Sequence, residues 1–92
     1  MKTLPESGKQ FLQTLSISEE SKTLIAGIAE ELVELVRSIE SKPKTTQNHY
    51  GDYMGILGQF PDKIKLTSIA LIVAGANKQG VIDAAGLYGA TK

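Results

Sequence analysis

Ninety-two residues with no cysteine, one histidine and ten basic side chains against ten acidic ones describe a single small domain without disulfides, thiolate metal sites or cysteine nucleophiles. The balanced charge excludes a whole-molecule field that would draw nucleic acid or acidic lipid; residues 1–42 carry five basic and seven acidic groups, residues 43–92 five and three. A chain this short buries only about 60–70% of its unfolded surface, so self-association is an expected source of added stability.

The opening MKTLPESGKQ has no apolar segment of the secretory kind. The longest uncharged run, Leu66–Asn77, falls short of the roughly 20 residues that cross a bilayer as a helix. The expectation is a soluble, cytoplasmic chain without a membrane partner.

In chain order, Thr3 and Glu6 offer a cap for a short first helix carrying Phe11, Leu12 and Leu15, with Gly8 weakening its interior. Residues 18–41 carry the strongest pattern. Ile25, Ile28, Leu32, Leu35 and Ile39 are spaced three, four, three and four apart, a heptad seam along one long amphipathic helix. Leu24 and Val36 widen that stripe, while Glu30, Glu34, Arg37 and Ser38 point elsewhere. Ser16 followed by Glu19 reads as a capping box for its start. Lys42-Pro43 ends it, because the residue before proline avoids the α region. The polar KPKTTQN that follows is the expected flexible joint.

A helix is expected next over 47–59, in NHYGDYMGILGQF. At 100° per residue, Gly51, Gly55 and Gly58 gather within about 60° of one another, with His49, Tyr53, Ile56 and Phe60 opposite. Tyr50, Met54 and Leu57 extend the apolar arc. Each glycine costs roughly 1 kcal/mol against alanine in a helix, so the stripe is expected to gain something in return. Close approach of another helix is the first explanation, an irregular loop the second, and a groove for a ligand or peptide the third.

Gln59-Phe60-Pro61-Asp62 breaks the chain. Leu66 to Ala76 is apolar almost all round, which fits a central helix or a buried strand; its length and the helical context favour the helix. Gly75 is the expected stop and Asn77 the cap of a last short helix through Tyr88, with GLYGATK fraying.

Candidate chemistry is sparse. His49 has Asp52 and Tyr53 at helical spacing, but no nucleophile motif accompanies it. Its two candidate metal ligands fall short of the three or four a zinc site uses. Gly75 and Gly80 have P-loop spacing, yet Val81 stands where that loop needs its lysine. The sequence therefore predicts no catalytic residue, no metal and no cofactor.

Residues 65–89, KLTSIALIVAGANKQGVIDAAGLYG, resemble a helix-turn-helix, with Ala74, Gly75 and Ala76 at the turn and Val81 and Ala84 packing the second helix. Leu71 departs from the pattern, which has a small residue there. The resemblance implies a DNA-binding regulator over about 66–89, with Lys78 and Gln79 on the recognition face.

Together these readings predict an all-α fold, a compact bundle of four or five helices in one domain over 1–92. The expected function is a small non-enzymatic protein-binding or regulatory module, homodimeric, with Ile25, Ile28, Leu32, Leu35 and Ile39 as the candidate dimer seam; the alternative is that this seam faces the helices at 47–59 and 62–76 within one chain. Its expected contact surface is His49, Tyr50, Gly51, Tyr53, Met54, Gly55 and Gly58, since aromatic and Met side chains are favoured at such surfaces. DNA binding through Lys78 and Gln79 is the alternative.

Overall fold

The computed structural model describes residues 3–43 and 49–90, with side chains up to Leu87 in the last helix. The expected joint at 44–48 and the terminal Thr91-Lys92 lie outside the described residues. Among the described residues five α-helices follow in order: α1 (Glu6–Thr14), α2 (Glu19–Glu40), α3 (Tyr50–Gly58), α4 (Ile64–Val73) and α5 (Lys78–Ala90), with a 3-10 turn at Pro61–Lys63 leading into α4. No strand occurs among the described residues. The fold is all-α, as the periodicity predicts.

α4 is the hub. It packs on α2 along one side and touches α1, α3 and α5 on others, while α5 lies mainly along α3. Neighbours on several sides explain why 66–76 is apolar almost all round: a surrounded helix has no solvent face to mark. Thr67, Ala70, Leu71 and Val73 are buried on α4. Around them close Ile25, Ala29, Val33, Val36 and Ile39 from α2, Tyr53, Ile56 and Leu57 from α3, and Val81 and Ala84 from α5.

The helix ends follow local chemistry. α2 is capped by Ser18, whose hydroxyl accepts from the Ser21 N–H at 3.1 Å, rather than by Ser16. That start puts Glu19 and Glu20 in the first turn, where negative charge meets the positive end of the helix dipole. α1 begins after Pro5 with no side-chain cap, so Thr3 does not serve as one. At the end of α4, Gly75 adopts φ +107°. Its N–H donates to the Ile72 carbonyl, and that of Ala76 to the Leu71 carbonyl, both at 3.0 Å, a Schellman closure. The expected break at Gly75 and restart at Asn77 are where the chain turns.

Two packing expectations are corrected. The buried set on α2 is Ile25, Ala29, Val33, Val36 and Ile39. It is centred roughly 60° round the helix from the predicted seam, so Ile28 and Leu32 are half-buried and Leu35 is 45% exposed. Among the described residues the glycine stripe on α3 is not closed by another helix at Gly51 or Gly55: both are exposed, as is Gly58, and a Cβ added at Gly51 or Gly55 has nothing within 4 Å. The close helix approach occurs instead at Gly8. A Cβ there would come within 2.8 Å of the Val73 carbonyl carbon and nearer still to its oxygen, so α1 rests on α4 backbone to backbone.

Candidate functional site: the outer face of the long helix

The apolar arc of α2 is wider than the core uses. Leu24 is 54% exposed and Leu35 45%; Ile28 and Leu32 sit half-buried between them. At 100° per residue the four fall within about 80° of one another. Beside the middle of this stripe opens a groove of about 200 Å³, lined by Ile28, Glu31 and Leu32 from α2 and by Phe60, Lys63 and Thr67 from the turn into α4. Three of the five predicted seam residues, Ile28, Leu32 and Leu35, thus lie on or beside an open apolar surface. The other two, Ile25 and Ile39, are in the core.

Phe60 belongs to this site for a local reason. Pro61 disfavours helical backbone at the residue before it, and Phe60 takes φ −131°, ψ 59°. The ring therefore leaves the α3 face on which a continued helix would place it, and remains 43% exposed. Phe60, Lys63 and Thr67 were not legible as site residues, because only the turn at Pro61 carries them back towards α2. The proline was the one available signal.

The surface predicted on α3 is divided by the fold. Tyr53 is fully buried and His49 is 7% exposed, so neither is available for contact; Tyr50 and Met54 are half-buried, and the three glycines face outward. His49 precedes α3 with φ 66°, a left-handed conformation that costs a non-glycine residue roughly 1–2 kcal/mol. Its Nδ1 lies 3.7 Å from Asp52 Oδ2, and Asp52 Oδ1 lies 3.8 Å from Lys42 Nζ. Its Nε2 is buried with no hydrogen-bond partner among the described residues. No group of three or more His, Asp or Glu that could hold a metal ion occurs among the described residues.

On α5 the candidate DNA contacts are engaged within the chain. Lys78 Nζ sits 5.3 Å above the centre of the Phe11 ring, a cation–π contact joining α5 to α1. Gln79 Nε2 donates to Asp83 Oδ1 at 2.9 Å. Beside them Ile82 and Leu87 are 46% and 49% exposed.

No family model, curated protein or solved structure matches the chain. No helix among the described residues is long and apolar enough to cross a membrane.

Proposed function

We propose that the chain is a small non-enzymatic module that binds another polypeptide and self-associates, using the outer face of α2 with Phe60. The observation that carries this reading is the groove between Ile28, Leu32 and Phe60, set in a stripe continued by exposed Leu24 and Leu35. An amphipathic helix laid into an apolar groove, anchored by side chains one turn apart, is a recurrent mode of protein recognition. The acidic Glu31 and basic Lys63 at the groove supply a polar rim of both signs, as interfaces commonly have. The role of DNA-binding regulator remains the competing proposal. Four residues do join α4 to α5, but Lys78 is the one basic side chain described on α5 and it lies over the Phe11 ring, whereas phosphate contacts dominate DNA affinity.

The test is site-specific photo-crosslinking in cells with the full chain, the probe replacing Leu35 or Phe60, and Gln10 on exposed α1 surface as the control. Adducts to polypeptide at Leu35 and Phe60 but not at Gln10 are expected. An absence of polypeptide adducts at both sites would overturn the reading.

A further inference from the structure

We infer that the partner taken by this face is a basic amphipathic helix, a polypeptide segment with an apolar stripe for the groove and Lys or Arg along one flank. The inference rests on the reading of this face as a protein-binding surface, and it names the chemistry of what binds there.

Charge carries it. α2 holds six glutamates against Lys22 and Arg37, a net of −4. The whole chain sums to zero, so the balanced total conceals one strongly acidic helix. Five of the six glutamates are exposed; Glu40 is half-buried and accepts from the Asn77 N–H. The two basic residues are already counted in that net. Each lies 3.8 Å from a glutamate, Arg37 from Glu34 and Lys22 from Glu19, and exposed pairs of that kind hold little energy.

Placement turns this charge into a recognition pattern. At 100° per residue, Glu31, Glu20 and Glu34 lie about 20°, 40° and 80° from Leu24, on the side away from the core. They border the stripe of Leu24, Ile28, Leu32 and Leu35 along its outer edge, and Glu31 also lines the groove. Beyond the inner edge stand Phe60, Lys63 and Thr67, where Lys63 is the one basic residue of the lining. From the solvent side inwards the face is carboxylates, apolar stripe, groove and one ammonium. Its complement is a helix with a basic flank over the carboxylates, apolar side chains over the stripe, and no positive charge towards Lys63.

The stripe also sets a length. Leu24 to Leu35 rises about 16.5 Å, or three helical turns, the least that a partner helix must span. Phosphates of nucleic acid or acidic lipid would meet the glutamates, a like-charge contact that opposes binding.

The test uses the full chain and two fluorescent peptides of roughly five turns, with leucines at the intervals of the stripe. One carries lysine at every flanking position and the other glutamate; a lysine peptide of scrambled order is the control. Anisotropy titrations should show the lysine peptide binding at low salt and weakening as salt screens the contact. The glutamate and scrambled peptides should bind at least about tenfold more weakly. Reversing Glu20, Glu31 and Glu34 together to lysine should exchange the preference, and the gain for the glutamate peptide would show that this variant is folded. Leu35→Asn, at an exposed position, should weaken the lysine peptide without unfolding the chain. Equal binding of the lysine and glutamate peptides, a preference untouched by the triple reversal, or no binding of any peptide would overturn the inference. A sedimentation mass rising from 9.9 kDa towards twice that, returned to the monomer by Leu35→Asn and with no peptide bound, would give the face to a second copy and likewise overturn it. Adducts in cells at Leu35 and Phe60 separate the two failures. Adducts confined to acidic or uncharged segments would end this inference and leave the protein-binding reading standing, whereas their absence would end both.

Discussion

Glu40, in the last turn of α2, accepts a hydrogen bond at 3.1 Å from the backbone N–H of Asn77, the residue from which α5 starts. The hydroxyl of Tyr53, fully buried on α3, accepts from the same N–H at 3.1 Å. One donor thus ties three helices together, and the carboxylate also sits favourably at the positive end of α5. Because the two acceptors back each other up, either can satisfy the N–H when the other is lost. Glu40→Ala and Tyr53→Phe should each cost about 0.5–1.5 kcal/mol, and the double variant more than their sum, since it leaves a part-buried donor unpaired. Urea unfolding of the four proteins measures the coupling, and simple additivity would show that the two bonds do not share the donor.

The glycines divide by what lies beyond them. At Gly8 an added methyl meets the Val73 carbonyl group, so Gly8→Ala must push α1 off α4 and should destabilise by about 1–3 kcal/mol. Gly27 and Gly55 sit inside helices with nothing within 4 Å of an added Cβ. Gly27→Ala and Gly55→Ala should each stabilise by roughly 0.5–1 kcal/mol. Thermal melts of the three variants decide it: a destabilising Gly55→Ala would mean that its open face is occupied in solution.

That contrast shows how far the sequence could be read. Periodicity located the long helix to within a residue or so at each end, and Gly75 with Asn77 marked the last turn, because those signals are local. The phase of α2 was not legible. Apolar residues from Leu24 to Val36 span about half the helix circumference, and only the position of α4 decides which part becomes core. Glycine spacing was likewise mute about direction: the same residue type that admits a neighbouring helix at Gly8 faces open space at Gly55. The groove was hidden because its walls, Leu32 and Phe60, come together only through tertiary packing.

At Gly75 the backbone rather than space is limiting. The nearest atom to an added Cβ is Pro5 Cγ at 3.5 Å, an ordinary contact, whereas φ is +107°. Gly75→Ala should therefore lose about 1–2 kcal/mol to backbone strain, lowering the melting temperature by roughly 4–16 °C for a domain of this size. A melt within a degree of the parent would show that the Schellman closure relaxes without cost.

Lys78 separates the two proposed roles in one variant. If it acts through the Phe11 ring, Lys78→Ala removes a cation–π contact worth about 0.5–1 kcal/mol at an exposed site, and the loss appears in unfolding. If it contacts phosphate, the loss appears instead as weaker duplex binding and a salt slope smaller by about one. Fluorescence anisotropy of a labelled random duplex, titrated at low and moderate salt, distinguishes these. The expected result is no salt-sensitive binding by the parent chain and a small stability loss in Lys78→Ala. With Lys78 over Phe11, Gln79 on Asp83, and Ile82 and Leu87 open to solvent, α5 has little charge left to hold a phosphate backbone. Tight binding at low salt, lost on moderate salt and weakened by Lys78→Ala, would reverse the order of the two proposals and move the functional face from α2 to α5.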